Sequence, residues 1–424
     1  SAFSFKGKNT TVSEIGNALN VRTVLEGSVR RSGDRLRITA KLVNAEDGYQ
    51  LWSERFDGEM KDIFELQDEI TLVVIDKLKV NFLSKEKAAV LKRMTDNPEA
   101  YEYYLKGIYY RWKLVPEEFG KCLKYFQLAV EADPKFGMAY FGVASYYGYG
   151  TAWGLVDMPP SEGWAKAETA INRSIEADPT LPEIQLTLAA FDLVNRRKFN
   201  AAGEAIRREV SANPDFAEIH HAHAFYSLVT GSFAEAIDES SQALQLDPLS
   251  VNYSRFLGVS FLFAKRFDEA IEQFHQALEL EPNNPNVLEI LAEAYSHKGL
   301  FEDALNARFK AAKFEGDSEM AGIIENNIDD FEGAVRAVAL KQIERMNMKL
   351  ATGEFVLAIH FVRAYMMLGD NDQTFEWLKR AVEERNVFPL LMNHDPFYDR
   401  LRSDPRFQES MEYVGCNSQG HREV

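Results

Sequence analysis

The chain has 424 residues, 46% of them apolar, and a formal net charge of −17 at neutral pH. That length exceeds one compact core and predicts either two or more units or one unit followed by a solenoid. No run of eighteen apolar residues occurs, which argues against a membrane-spanning helix; the acidic balance argues against a nucleic-acid surface; and two cysteines, Cys122 and Cys416, are too few for a disulfide framework or a structural zinc site.

The first residues, Ser1 to Phe5, lack a cationic start followed by an apolar core, so no signal peptide is visible, and the missing initiator Met points to a fragment or a processed form. Charge is uneven: residues 1–94 carry about +2, which leaves about −19 for the rest. An acidic solenoid favours neutral or basic partners.

Residues 1–95 predict a small, incomplete α/β module. Val12 to Leu19 has apolar residues at helical spacing and ends on Asn20, a common helix stop. Val21 to Val29, Arg35 to Val43 and Tyr49 to Phe56 alternate apolar and polar residues, with Ser32-Gly33-Asp34 and Glu46-Asp47-Gly48 between them. They predict a three-stranded antiparallel sheet with two tight turns. Ile63 to Phe82 predicts an amphipathic helix over one face. So small a module buries little, and its free strand edge invites pairing with another chain, which predicts a homodimer through the sheet edge or strand exchange. The basic cluster Arg30, Arg31, Arg35 and Arg37 has no Gly-rich phosphate loop beside it and reads as a solvated strand face.

The strings VLEGSVRRSGDRLRITA (24–40), LWSERFD (51–57) and DIFELQDEI (62–70) closely resemble the TolB-like amino-terminal domain of bacterial signalling proteins. The resemblance extends into the repeats, through Asp247-Pro248-Leu249-Ser250 and Gly369-Asp370. It implies an effector before the domain (a class III adenylate cyclase, a serine/threonine kinase or a winged-helix DNA-binding domain), often with a membrane helix, and a repeat array after it. It also implies that about half of the α/β domain lies upstream of Ser1. No such effector or membrane helix is visible in this sequence.

Residues 96–316 predict six helix-turn-helix repeats. Pro214, Pro248 and Pro282 stand 34 residues apart, and the next step lands on Gly316. Small residues keep the same register: Ala224, Gly258 and Ala292, then Ala236, Ala270 and Ala304, then Ala243, Ala277 and Ala311. Small side chains let paired helices approach closely, and Phe261, Phe274 and Tyr295 fill the space between them. This pattern resembles the tetratricopeptide repeat, which implies a mainly α fold, a right-handed superhelix with the first helix of each pair lining its concave groove. Pairs also fit Ala100 to Pro134, Gly137 to Pro179 and Glu183 to Pro214. The segment 151–163 (TAWGLVDMPPSEG) is an insertion that predicts a loop or an extended first helix.

The same register projects Tyr101, Tyr104, Trp112, Phe141, Tyr149 and Phe191 into the groove, followed by His221, Phe225, Arg255 and Phe263. Its far end turns polar with Glu289, Glu293, Ser296 and His297. Large rings give contact area at low entropic cost, so such a wall suits a peptide with an apolar part and a basic part. The alternative for each ring is core packing beneath the neighbouring repeat. His220 and His223 share one helix face near Glu218, a conceivable metal pair, but the register puts them where repeats bury large side chains, so a structural role is expected and no metal.

Residues 317–353 predict an irregular helical connector, with helices at Met320 to Glu325 and Glu332 to Leu350. Residues 354–415 resume the repeat and end in a polar-faced cap, with Asp395-Pro396 and Asp404-Pro405 as helix starts. Residues 416–424 predict a disordered tail. No GxSxG, HExxH or phosphate-loop motif occurs, so no enzyme activity and no cofactor are expected. The expected function is a non-catalytic interaction scaffold or sensor that binds a protein or peptide in the groove. The alternative is the regulatory part of a bacterial cyclase, kinase or transcription factor. Compartment is open between the cytoplasmic and periplasmic sides of a bacterial membrane.

Overall fold

The computed structural model describes residues 5, 10–59, 62–78, 93–111, 116–179, 181–417 and 420–421. Helix α1 (Val12–Leu19) starts on a reciprocal cap: the Thr11 hydroxyl accepts from the Glu14 amide, and the Glu14 carboxylate accepts from the Thr11 amide at 2.7 Å. Strands β1 (Thr23–Ser32), β2 (Arg35–Asn44) and β3 (Gln50–Glu59) follow as an antiparallel sheet in the order β1-β2-β3. Both turns carry a glycine in the left-handed region, Gly33 at φ 62° and Gly48 at φ 70°. Helix α2 (Ile63–Leu78) lays Ile63, Leu66, Ile70 and Val73 on Leu36, Ile38, Ala40 and Phe56. It covers β2 and β3 only. Leu25 and Val29 of β1 stand opposite Leu42 and Ile38 on that same face, yet remain 50% and 65% exposed. Arg37 of the basic cluster pairs across the ladder with Asp57 at 2.6 Å.

The array is built from six antiparallel pairs: α3 (Pro98–Arg111) with α4 (Pro116–Ala132), α5 (Gly137–Ala152) with α6 (Pro160–Ala177), α7 (Pro182–Val194) with α8 (Phe199–Ala212), α9 (Ala217–Thr230) with α10 (Phe233–Leu246), α11 (Val251–Phe263) with α12 (Phe267–Leu280), and α13 (Pro285–His297) with α14 (Phe301–Phe314). The period is visible in three dimensions. Helices α10, α12 and α14 start on Phe233, Phe267 and Phe301, and the left-handed residue before each is Gly231, Lys265 or Gly299, 34 apart. Every alanine of the small-residue register named above is buried. Gly258 shows why the register is small: a Cβ there would stand 2.5 Å from the Phe274 ring that fills the space between α11 and α12. Neighbouring first helices touch one another (α3 with α5, α5 with α7, α9 with α11, α11 with α13), whereas second helices of successive repeats stay further apart. The first helices therefore form the inner wall of the curve.

The sheet module joins the array through α2. The Tyr101 ring meets Phe64 edge-on at 5.5 Å, and Arg93 lies over Phe64 while donating to Asp68 at 2.7 Å. At the other end come α15 (Ser318–Glu325), α16 (Phe331–Ala351), α17 (Ala358–Leu368), α18 (Asn371–Glu383), the short α19 (Phe388–Met392), a 3-10 turn Pro396–Leu401 and α20 (Pro405–Val414). Asp317, Asp330, Asp370, Asp395 and Asp404 each accept from a first-turn amide of the element that follows, which is what starts these helices where the strict period has lapsed. In the stretch expected to be a disordered tail, Cys416–Asn417 pairs with Gly420–His421; residues 418–419 and 422–424 lie outside the described residues.

Candidate partner-binding surface

The inner wall divides into a part closed by the chain itself and a part that stays open. The C-terminal repeat, α17 to α20, turns back across the wall. Phe388 meets Trp153 edge-on at 5.5 Å, Leu391 packs on the cluster of Ala224, Leu228, Ala236, Phe256 and Phe263, and the His394 ring stands against Phe233 at 5.6 Å. Polar contacts pin the same surface: the Phe355 amide donates to Asp157 at 2.9 Å, Lys265 pairs with Asp399 at 2.6 Å, and Arg385 donates to the Asn195 carbonyl. Arg363 of α17 bonds Glu293 of α13 at 2.9 Å. Trp153 and Asp157 belong to the insertion at 151–163, so that loop is the landing site for a segment some two hundred residues further on.

Several rings projected into the groove are core instead. Tyr104, Phe141, Phe191 and Phe263 are 6%, 5%, 1% and 5% exposed. Tyr104 packs against Phe126 and Phe136, Phe191 against Trp164, and Phe263 in a cluster with Ala224, Leu228, Ala236 and Phe256. A helix at this position has an inner face and a seam toward its partner helix, and both accept apolar residues at the same 3.6 spacing. These rings took the seam. Tyr101 is half-buried on Phe64, and Trp112 lies outside the described residues. The polar far end is also spent: Glu293 is buried on Arg363, His297 stacks on Phe267 at 5.2 Å, and the Ser296 hydroxyl donates to the Ala292 carbonyl, while Glu289 stays exposed 3.9 Å from Arg308.

The open part is a polar recess on α3, α5, α7, α9 and α11. At its centre Arg111 donates to the Ser145 hydroxyl at 2.8 Å, faces Glu218 at 3.7 Å and lies over the Phe141 ring. Glu183 of α7 lies close to Glu218; burial first, and then that neighbouring carboxylate, push its pKa up. Tyr149 keeps 38% of its surface exposed and stands 5.9 Å from Trp153. Burial raises the pKa of the Tyr149 and Tyr253 hydroxyls, so both stay protonated. His221 sits edge-on to Phe256 at 4.4 Å; burial and then the nearby Arg255 charge depress it to about 3, so it is neutral. Arg255, on the register of His221 and one repeat later, donates to Asn252 at 3.0 Å. Of the residues projected from sequence, the structure thus gathers Tyr149, His221 and Arg255 here and places Phe225 at the boundary with the C-terminal repeat. Arg111, Glu183 and Tyr253 are not on the list projected from sequence, and Glu218 enters there only as a neighbour of His220 and His223. The available signal was polar residues on the inner register, Glu218 and Asn252 being 34 apart.

Chemically the recess can bind. The hydroxyl of Ser145 is held by a guanidinium rather than a base, which is no arrangement for a nucleophile. His220 uses both ring nitrogens, one 2.6 Å from Glu239 and the other 2.7 Å from the Pro214 carbonyl, and His223 stands 3.0 Å from the second Glu239 oxygen. They brace α9 against α10. Among the described residues no three His, Cys, Asp or Glu side chains are grouped to hold a metal ion, and no helix is long and apolar enough to cross a membrane.

A family model described as "Tetratricopeptide repeat" matches residues 262–322, the α11 to α15 stretch. The chain carries tetratricopeptide repeats. A curated relative from Rhizobium meliloti (strain 1021), described as "Putative adenylate cyclase 3", is 38% identical over 107 residues. That match covers 25% of this chain, and the chain spans 18% of the relative's length. Solved structures with some likeness include MamA, at 21% identity over 39% of this chain and 98% of that one with a TM-score of 0.32. Another is TTC0263, a thermophilic TPR protein of Thermus thermophilus, at 21% identity over 40% of this chain and 91% of that one with a TM-score of 0.34.

Proposed function

We propose that this chain is an interaction scaffold whose open recess on the inner wall receives a peptide segment of a protein partner. The observation that carries the proposal is Tyr149, a ring on an inner helix that keeps 38% of its surface exposed beside charged groups the C-terminal repeat does not cover. Large rings beside unspent polar groups are what a docking surface needs. Glu183 meets no cation within ion-pair range among the described residues, so part of the recess is electrostatically unfinished. The test is capture of a partner from extract of the source organism by the full chain. Tyr149→Ala combined with Tyr253→Ala should cut recovery of the captured species tenfold or more with the helical circular dichroism unchanged. Full recovery by the double variant would remove the recess as the site.

A second reading takes the chain as the regulatory part of a bacterial signalling protein, on either side of a membrane, with a partial TolB-like module before the repeats. The resemblance of residues 24–70 and the match to a protein described as an adenylate cyclase support it. On this reading the sheet module also pairs two chains. The Ala45 amide donates to the Arg22 carbonyl, so the odd-numbered residues of β1, Leu25 and Val29 among them, turn their backbone polar groups outward from the edge. A two-fold at Ser28 would set Glu26 of one copy opposite Arg30 of the other and bring Leu25 diagonally beside Val29 on the other face. Light scattering should then give twice the chain mass of 48.2 kDa, falling to the single mass in Val29→Lys. A single mass for the parent chain overturns the pairing.

A further inference from the structure

We propose that the seam between the C-terminal repeat and α13 is a proton-sensitive latch: Asp395 and Glu293 share the Arg363 guanidinium, and loss of the proton they hold between them makes the repeat lift off the inner wall more often. The latch is a contact within the chain and goes beyond the binding role of the recess. Glu293 projects from α13, Arg363 from α17, and Asp395 stands immediately before the 3-10 turn, so the three meet where the repeat closes on the wall. Arg363 donates to Glu293 at 2.9 Å and lies over the Phe397 ring at 4.2 Å. Phe397 in turn holds Asp395 beside it, its amide donating to the Asp395 carboxylate at 2.9 Å. Both carboxylates are buried, at 8% and 9% exposure. Arg402 reaches Asp395 only at its carbonyl, at 2.9 Å, and gives its ion pair to Asp399, which Lys265 also meets. Burial raises the pKa of the neighbouring Tyr398 hydroxyl, so it keeps its proton.

Two buried carboxylates facing one guanidinium leave a negative charge uncompensated away from water, and a bound proton removes it. The two titrate as a pair. Glu293 has the direct bond to Arg363, so Asp395 carries the proton: burial first, and then the Glu293 charge, push its pKa up to about 7, which Arg363 offsets only in part. Once the repeat lifts, Asp395 returns to water and to the ordinary value of about 3.9. Closing therefore takes up a proton, and this contribution is complete below about pH 4 and lost as pH rises to about 7. Glu384, raised to about 7 by burial at the start of α17, acts in the same sense. His360 lies against Gly154 of the insertion; burial, then Arg363 and Lys349, depress it to about 4, so it opposes them below about pH 6.5. Two carboxylates outweigh one imidazole, and the net effect of rising pH is loosening. His394, next to Asp395 in the chain, turns its ring to Phe233 of α10. The apolar cluster that the repeat shares with Trp164 and Phe191 keeps the closed form dominant, and the proton sets how often it opens.

Hydrogen exchange of the full chain tests the latch, read as the ratio of the parent rate to that of Asp395→Asn at the same pH, in which the intrinsic chemistry of exchange cancels. The variant keeps the acceptor that the Phe397 amide needs and cannot ionise. For amides of α17 to α20 the ratio should rise about twentyfold or more from pH 5 to pH 8, while in α12 and α14 it stays level. In a Glu293→Gln background the same rise should shrink several-fold, because the wall no longer presents a charge to Asp395. The parent chain gives a readout that needs no variant: the side-chain carboxyl carbon resonance of Asp395 should titrate near 7. A ratio equal at both pH values, a rise spread evenly along the array, an undiminished rise in the Glu293→Gln background, or an Asp395 midpoint near the ordinary value of about 3.9 overturns the latch. None of these outcomes bears on capture of a peptide by the recess, so the two readings fail separately.

Discussion

Phe126→Ala should lower the stability of the first two repeats by about 3–5 kcal/mol, one of the larger costs open to a single substitution. Phe126 is fully buried and packs against two neighbouring helices that its replacement would leave facing a void. Its ring lies in the gap left by Gly107 on α3 and Gly142 on α5, each of which leaves room that a Cβ would fill, and it meets Tyr104 at a centroid distance of 6.0 Å. The ring therefore joins its own repeat to the next one. In a solenoid each repeat is stabilised by its neighbours, so the loss should show first as local opening. Hydrogen exchange of α3 to α5 should accelerate by two orders of magnitude or more while α12 to α14 keep their protection. A change below about 1 kcal/mol, or equal acceleration along the whole array, would contradict this packing.

His221→Phe should be about 2 kcal/mol more favourable relative to the parent at pH 5 than at pH 7. In the folded chain burial holds the imidazole neutral down to about pH 3, while in the unfolded chain it takes a proton below about 6.5. The group's contribution is therefore complete above about pH 6.5 and is lost progressively as pH falls toward 3. Phenylalanine has no such dependence. The comparison is made as a difference between variants because other groups oppose it: burial raises Glu384, whose carboxylate receives the Ala358 amide, to about 7, so its contribution declines as pH rises from about 4.5 to 7. His360, held near 4 by burial, acts in the same sense as His221. Denaturant unfolding of parent and variant at the two pH values decides the point; an equal difference at both would mean that His221 is protonated in the fold.

The interval of 34 residues, with Ala236, Ala270 and Ala304 in one register and Gly258 in another, was enough to read stacked helix pairs from the sequence. Close approach of two helices is a local requirement, repeated once per unit, and it leaves a local mark. The strands were legible for the same reason, since alternation and a glycine at each turn are properties of neighbouring residues. Arg255 could be assigned to the inner wall from its register alone. That it stands without a counter-ion could not, because a counter-ion on such a wall comes from another helix, as Glu218 does for Arg111.

What the amino-acid order determined by itself is the repeat unit, the sheet and the side of each helix that is apolar. Only the tertiary structure decided which apolar rings fill seams, as Tyr104 and Phe191 do, and which remain available, as Tyr149 does, because both choices carry the same helical spacing. It alone also decided that the C-terminal repeat closes part of the wall. The contacts that do so, Phe388 on Trp153 and Arg363 on Glu293, join residues 235 and 70 positions apart. Side chains that meet across such distances need no shared period, so nothing periodic in the sequence announces them.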